Sequence, residues 1–165
     1  MISIRPATPA DYPIIRDIAY RTWPATFGSI LSEKQLYFML EMMYSLGSIK
    51  EQVDTKNNIF LVAQNDSELL GFISYELFYK NLPQTKIHKI YILPDIQGQG
   101  IGQKLIASIT EISIQNNCNS LILNVNRQNK AIDFYKKNGF TVVDREDIPI
   151  GEGFFMNDYI LQKMI

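Results

Sequence analysis

The stretch at residues 87–106 places a strand, a glycine-rich loop and the beginning of a helix directly after one another. A β-branched, apolar run ends at Pro94, which closes the strand because proline cannot donate to a β-ladder. Glycines then occupy three alternate positions, Gly98, Gly100 and Gly102. Beyond them, apolar residues recur at helical spacing: Ile101, Leu105, Ile109 and Ile112. The stretch therefore predicts a chain that mixes strands with helices.

The loop of this stretch is a candidate phosphate-binding site. Glycines allow a ligand to approach the backbone, and a helix N-terminus offers unpaired N–H groups and the positive end of its dipole. A Walker loop needs Gly-Lys-Ser/Thr, whereas Gln103 and Lys104 follow Gly102. A dinucleotide-binding fingerprint that starts at Gly98 needs a glycine at the position of Gln103. The spacing excludes both motifs, and a glycine-rich turn without a ligand stays open.

Composition restricts the function classes. A length of 165 residues suits a single domain, residues 1–165, with one sizeable core. The net charge of −1 and the pI near 5.8 argue against a protein that binds nucleic acid or an anionic membrane. One cysteine, Cys118, and one histidine, His88, argue against a disulfide and against a zinc site. No apolar run approaches 18 residues and no leader is evident, so a cytoplasmic location is expected.

The remaining elements follow from capping residues, periodicity and turns. The first helix is expected to begin after Thr8 and to end at Trp23-Pro24, because a residue before proline leaves the α region. Capping signatures at Ser32 and Ser48 open two further helices. The predicted strands are residues 2–5, 59–63, 69–78, 87–93, 120–126, 140–143 and 154–161. The strand at 120–126 follows a helix and is expected to lie parallel to its predecessor. This order predicts a mixed α/β sheet of six or seven strands with about four helices.

Two motifs resemble those of a known family. The pattern Gln97-x-x-Gly100-x-Gly102 after a strand is similar to motif A of the GNAT superfamily of acetyl-CoA-dependent N-acetyltransferases. The run from Asn129 to Phe140, Asn-x-Ala-Ile-x-Phe-Tyr-x-x-x-Gly-Phe, resembles motif B of the same superfamily. The motifs cover the C-terminal half of the chain, and the N-terminal third matches in element order. Chain order and the region of Trp23 and Phe27 faintly resemble spermidine/spermine acetyltransferases.

The resemblance implies a V-splayed sheet with a coenzyme A site in the V. In the family, the strand before the loop and the strand after the helix separate, and the coenzyme enters between them. Acetyl-CoA is thus the expected co-substrate, with its pyrophosphate on residues 97–102 and no metal ion. The resemblance implies that its contacts are Ile90, Tyr91, Ile92, Gln97, Gly98, Gln99, Gly100, Ile101, Gly102 and Asn129.

The resemblance also suggests catalytic residues. Tyr135 lies where the family has its general acid, and a phenol of pKa near 10 suits donation to a departing thiolate. A buried core tyrosine is the alternative reading. His88, Glu76 and Tyr91 are candidates for the base, and strand alternation places His88 on one face with Ile90 and Ile92. An imidazole of ordinary pKa accepts a proton near neutral pH, although a half-exposed strand histidine remains an equal reading.

Direct transfer of an acetyl group to a primary amine in a ternary complex is the expected function. Trp23, Phe27 and Glu76 are expected at the acceptor site, and a small amine such as a polyamine is the favoured acceptor. A protein N-terminus or lysine as acceptor, and a non-catalytic coenzyme A-binding module, stay open, as does a homodimer. A covalent route through Cys118 would need a base and an electropositive site, and its predicted place at a helix end away from the loop argues against it.

Overall fold

The computed structural model describes residues 1–165 and contains a seven-stranded sheet with five α-helices. The strands are β1 (Ser3–Pro6), β2 (Ile59–Gln64), β3 (Leu69–Glu76), β4 (Gln84–Ile92), β5 (Ser120–Asn126), β6 (Thr141–Gly151) and β7 (Phe154–Met164). The helices are α1 (Tyr12–Phe27), α2 (Glu33–Tyr44), α3 (Leu46–Asp54), α4 (Ile101–Gln115) and α5 (Ala131–Lys137). The predicted mixed architecture is confirmed, with one helix more than the four expected.

The sheet opens between its two central strands. Its order is β1-β2-β3-β4-β5-β7-β6, and β4–β5 is the parallel pair, as the strand–helix–strand order predicted. That pairing stops at Ile87 and Leu123, although β4 continues to Ile92 and β5 to Asn126. Residues 88–92 and 124–126 therefore diverge, and the predicted V-shaped splay is confirmed.

Two buried apolar clusters hold helices against the sheet. One cluster packs α4 and Tyr135 of α5 against residues of β2 to β5 and β7. The other packs α1, α2 and α3 against alternate residues of β2 and β3. Because successive strand residues point to opposite faces, β4 contributes to both: Ile90 and Ile92 contact the first cluster and Tyr91 the second. The sheet thus forms the middle layer of three.

The predicted end of the first helix at Trp23-Pro24 is wrong. Helix α1 continues to Phe27 with Pro24 inside it. Proline removes one hydrogen bond of the helix, to the carbonyl of Tyr20, but the side chains of Trp23 and Phe27 are buried in the cluster against α2 and β4. Tertiary packing therefore outweighs the local preference before proline.

Three other predicted bounds are corrected. Helix α3 begins after Ser45, whose side chain accepts from the Ser48 N–H at 3.2 Å, so Ser48 is inside the helix. Strand β4 begins at Gln84 and not at Ile87, because its first residues are polar but buried. Strand β6 runs to Gly151 as an exposed edge strand whose charged residues concealed it from the apolar pattern.

The predicted alternation of Ile90 and Ile92 against Lys89 and Tyr91 holds, and a bulge at His88 breaks it toward Ile87. Ile87 pairs with Tyr75, whereas Lys89 pairs with the adjacent Ser74, so His88 is an extra residue in the ladder. Ile87 packs in the cluster that contains α4, yet Lys89 lies over the rings of Tyr44 and Phe60 on the opposite face. The face of His88 is therefore set by a bulge, located where β4 leaves β5.

Candidate active site

A cavity of about 750 Å³ fills the V between β4 and β5. Residues 88–92 form one wall and residues 124–126 the other. The glycine loop and α5 line one end, and the last turns of α1 line the opposite end. A space bounded by a helix N-terminus at one end and aromatic side chains at the other suits a long ligand with an anionic group.

The glycine loop presents a row of unused backbone donors. None of the N–H groups from Gly98 to Gln103 donates a hydrogen bond within the chain, and the first bond at this helix end is from Lys104 N–H to Gly100 at 3.1 Å. Gly98 and Gly100 adopt left-handed backbone angles, with φ of 84° and 79°, which glycine permits without strain. Because these donors lie at the positive end of α4, the loop can bind a phosphate group.

Gly102 has a packing role as well. A Cβ atom there would lie 3.1 Å from Cζ of Phe134 and 3.3 Å from Cδ1 of Ile92. The absence of a side chain therefore lets the first turn of α4 contact both β4 and α5. Gln97 ties the loop to the strand, because its Nε2 donates to the Ile92 carbonyl at 3.1 Å.

Strand β4 points backbone groups into the V. Leu93 N–H bonds to Leu70 of β3 at 2.9 Å. Successive N–H groups of a strand point to opposite edges, so the N–H of Ile92 is directed toward the open edge where β5 has separated. That donor is available to a carbonyl oxygen in the cavity.

Tyr135 lies in α5 at the cavity wall. The residue is 8% exposed, and its hydroxyl makes no hydrogen bond to another residue. Burial raises the pKa of Tyr135 well above 10, so the phenol stays protonated. A protonated hydroxyl with no partner in the chain can donate to a ligand.

Aromatic side chains line the opposite end. Trp23 packs against Phe27, Tyr44 and Tyr91, with ring centroids 4.7, 5.9 and 6.0 Å away. The indole N–H of Trp23 and the hydroxyl of Tyr44 are buried without hydrogen bonds. Trp23 and Phe27, predicted to edge the acceptor site, therefore serve both as core and as cavity wall.

His88 and Glu76 form a pair at the end of the splay. His88 Nε2 lies 3.0 Å from Glu76 Oε1, and the imidazole packs edge-on to Tyr79. Burial first, and then Lys89 and Lys86, lower the pKa of His88 from its ordinary 6.5 to about 3. The neutral ring then carries its proton on Nε2 and leaves Nδ1 as an acceptor.

The structure brings most of the predicted site residues together around this cavity. Those that line it are Trp23, Phe27, His88, Ile90, Tyr91, Ile92, Gln97, Gly98, Gly100, Ile101, Gly102, Asn129 and Tyr135. Two do not line it: Gln99 is exposed, and Glu76 touches the site through His88. Cys118 is buried just after the C-terminus of α4 and does not line the cavity, so a covalent route through its thiol has no support.

Sequence reasoning missed Asp158 and Asn124, both of which line the cavity. Asn124 Nδ2 donates to Asp158 Oδ2 at 3.3 Å and to Glu146 Oε1 at 3.0 Å, and its Oδ1 accepts from Lys86. The available signal was an acidic residue inside the apolar run of β7. Asn129, which was predicted, lies just before α5, where its Oδ1 accepts from the Ala131 N–H at 2.8 Å.

Two classes of feature are absent from the structure. No three His, Cys, Asp or Glu side chains are grouped so that they could hold a metal ion. No helix is both long enough and apolar enough to span a bilayer.

The model of the acetyltransferase (GNAT) family matches residues 14–140. A spermidine N(1)-acetyltransferase from Thermoplasma acidophilum is 28% identical over 167 residues, which cover 98% of this chain and 96% of that protein. A peptidyl-lysine N-acetyltransferase from Salmonella typhimurium is 40% identical, but over only 36% of this chain and 38% of its own.

A solved structure shows the same fold over the full length. The PaiA N-acetyltransferase of Thermoplasma acidophilum, crystallised in complex with coenzyme A, superimposes with a TM-score of 0.84 and 25% sequence identity. The match covers 100% of this chain and 99% of that one. The agreement therefore includes the N-terminal third, where the two sequence motifs are absent.

Proposed function

Because the chain belongs to the acetyltransferase (GNAT) family, we propose that it transfers an acetyl group from acetyl-CoA directly to the primary amine of a small molecule. The observation that carries the proposal is the cavity itself. It joins a row of unpaired backbone donors at one end to aromatic and polar side chains at the other. The complex of the similar PaiA protein with coenzyme A supports coenzyme A as the ligand of this fold.

The loop would bind the pyrophosphate of acetyl-CoA. The unused N–H groups from Gly98 to Gln103 fit an anion with several acceptor oxygens, and no lysine is needed among them. The pantetheine arm would then run along residues 90–92 of β4, replacing the partner strand that β5 no longer supplies. Asn129, with Nδ2 free to donate, would contact the same arm from the start of α5.

Two groups would act on the thioester. The Ile92 N–H would donate to the carbonyl oxygen as it gains negative charge during attack, which lowers the barrier. Tyr135 would donate its proton to the sulfur when the carbon–sulfur bond breaks. The raised pKa of Tyr135 ensures that this proton is present throughout the neutral range.

His88 would relay the proton that an alkylammonium must lose before it attacks. Because burial lowers the pKa of His88, the ring would accept at Nδ1 and pass its Nε2 proton to Glu76 rather than stay protonated. Its neutral ring offers Nδ1 as the acceptor, while Glu76 fixes the tautomer through Nε2. Glu76 would thus act through His88 and not by contact with the acceptor. A water molecule would extend the reach of the imidazole to the amine.

A polyamine is the proposed acceptor class. The full-length similarity to a spermidine acetyltransferase supports it, and so does the aromatic lining at one end of the cavity, which can pack against an aliphatic chain. A lysine side chain of a protein is the second candidate, supported by the partial similarity to a peptidyl-lysine acetyltransferase. Both acceptors share the primary alkylammonium.

Thiol release from acetyl-CoA tests the proposal with a panel of amines. The panel contains spermidine, short diamines, a lysine peptide and a peptide with a free N-terminus. We expect turnover with spermidine or a short diamine at a kcat/KM at least tenfold above that for either peptide. Preference for a peptide would establish the second candidate. Binding of acetyl-CoA without release from any amine would make the protein a non-catalytic binding module.

A further inference from the structure

Asp158 is a buried carboxylate that the chain itself leaves under-satisfied. The residue is 4% exposed, and its only carboxylate hydrogen bond comes from Asn124 Nδ2 to Oδ2 at 3.3 Å. A carboxylate offers about four acceptor sites, and a buried one without partners is unfavourable. Its second oxygen, Oδ1, accepts no hydrogen bond in the chain. The position therefore has room for a donor from outside the chain.

The neighbouring cations do not satisfy this carboxylate. Lys86 donates to Asn124 Oδ1, and Arg127 donates to the backbone carbonyl of Asp158 at 3.1 Å and to the Asp147 carboxylate at 2.5 Å. No lysine, arginine or histidine nitrogen lies within 4.0 Å of the Asp158 carboxylate. Glu146, opposite Asp158 in the β6–β7 ladder, adds a second negative charge nearby. Lys86 and Arg127 supply positive charge nearby without contacting the carboxylate, so its oxygens remain open to a further donor.

Asp158 lies at the reacting end of the cavity. It lines the cavity together with Tyr91 and Tyr135. Burial first, and then the charges of Tyr135 and Asp158, raise the pKa of Tyr91. Tyr91 precedes Ile92, whose N–H is directed into the V. The carboxylate is therefore close to the groups that would act on the thioester.

We infer that Asp158 binds an ammonium group of the acceptor amine inside the cavity and thereby selects small cationic amines. The inference rests on the proposed function and assigns the residue that recognises its substrate. An alkylammonium supplies three donors and one positive charge, which match the vacant acceptor sites and the unpaired negative charge. No covalent bond changes in this role. Burial raises the pKa of free Asp158, and a bound ammonium would lower it again.

Asp158→Asn tests this role with little change in shape. The amide keeps an oxygen for Asn124 and loses the charge. With spermidine as the probe, we expect the KM for spermidine to rise at least roughly tenfold, because one partner of a buried charge pair is removed. The KM for acetyl-CoA should stay within about twofold, since the glycine loop is untouched.

Glu146→Gln is the matched control. It removes the same charge from the other carboxylate that Asn124 contacts, but Glu146 is exposed and does not line the cavity. We expect its KM for spermidine to stay within about threefold of the parent. An unchanged KM in Asp158→Asn, or an equal rise in both variants, would overturn the inference while leaving the acetyltransferase activity intact.

A measurement on the parent protein covers the case in which Asp158→Asn does not fold. The carboxyl carbon of Asp158 is followed by NMR as pH is varied, with and without saturating spermidine. We expect spermidine to lower the titration midpoint by about one pH unit or more, because an adjacent ammonium stabilises the ionised form. This shift requires no turnover, so it distinguishes failure of the inference from failure of the proposed function. An unchanged midpoint would overturn the inference.

Discussion

Tyr135 can be both a buried core residue and a proton donor, because burial keeps its hydroxyl protonated. The ring packs with Phe134 and Phe140, with centroids 5.5 and 5.8 Å away, while the hydroxyl faces the cavity without a partner. Desolvation disfavours the phenolate, so the group is held as an acid. Both readings of the sequence at this position, core residue and general acid, are thus physically consistent with each other.

Tyr135→Phe separates these two readings. The ring contacts remain, and only the proton is lost. We expect kcat to fall by roughly 10²-fold with little change in acetyl-CoA affinity, the magnitude typical of a missing general acid. Tyr75→Phe is the control, since Tyr75 is a buried tyrosine of the same cluster that does not line the cavity. Equal kcat values for the two variants, with chemistry rate-limiting, would assign Tyr135 to packing alone.

His88 makes a separate contribution to stability that depends on pH. Its pKa in the folded protein lies below that of an exposed imidazole, so between these two values the unfolded chain binds the additional proton. The stabilising effect of the neutral ring is complete above pH 6.5 and decreases as pH falls below it. The maximum slope for one proton is about 1.4 kcal/mol per pH unit.

His88→Gln isolates that contribution because the chain has one histidine. Denaturant unfolding of both proteins from pH 5 to pH 8 gives the difference in their free energies of unfolding. We expect this difference to be constant above pH 7. Below pH 6.5, we expect the free energy of unfolding of the parent to fall relative to that of the variant. The carboxyl groups titrate in both proteins and cancel in the comparison. A difference that is independent of pH would mean that the imidazole is as solvated in the fold as in the unfolded chain.

At the scale of the element, local signals predicted most of the chain, and tertiary contacts explain where they failed. The glycine loop, α4 and β5 lie where periodicity placed them, because their apolar residues are also their buried residues. The continuation of β6 beyond residue 143 and the start of β4 were missed because charged or polar residues form them. Asp158 was missed as a site residue for the opposite reason: it lies within β7, an apolar strand whose residues were expected to pack in the core. The bulge at His88 could not be predicted, since it depends on the register of β3.

Substitution of Pro24 would show how far tertiary packing outweighs the unfavourable effect of a proline inside α1. It is exposed, so its ring contributes little packing, yet it removes a hydrogen bond inside the helix. We expect Pro24→Ala to raise the free energy of unfolding by roughly 1–3 kcal/mol, the gain being reduced because alanine makes the unfolded chain more flexible.

Pro13→Ala provides the comparison for this change. Pro13 lies in the first turn of the same helix, where its missing N–H has no partner to lose, so we expect no gain in stability. Chemical denaturation of the three proteins decides the point. A loss of stability in Pro24→Ala would show that the proline fixes the last turn of α1 that carries Trp23 and Phe27.

For the whole molecule, the splay divides the sheet into two parts connected by only a short parallel ladder. Residues 84–87 of β4 and 120–123 of β5 are the paired segment, and beyond them each strand leaves an open edge. Open edges and unpaired loop amides are unfavourable in isolation, and a ligand in the V would satisfy both. A ligand bound in the V is therefore expected to stabilise the whole sheet.

Acetyl-CoA is accordingly expected to protect a specific set of amides from hydrogen exchange. A ligand that binds only the folded state adds about 2.7 kcal/mol to the free energy of unfolding when its concentration is 100 times Kd. Amides that exchange only through global unfolding should therefore exchange more slowly. Residues 98–103 should show an additional effect, since their N–H groups have no partner in the free protein. We expect their exchange to slow at least tenfold when acetyl-CoA saturates the site.

Two glycine variants distinguish loop binding from general stabilisation. Gly100→Ala and Gly153→Ala each place a side chain at a φ of 79°, which costs about 1 kcal/mol or more, but Gly153 lies at the β6–β7 turn outside the cavity. Only Gly100→Ala should lose affinity for acetyl-CoA and the protection of residues 98–103. If saturating acetyl-CoA slows exchange in the rest of the sheet but leaves residues 98–103 unchanged in the parent, the pyrophosphate binds elsewhere. The unpaired N–H groups of the loop would then bind an anion other than this pyrophosphate.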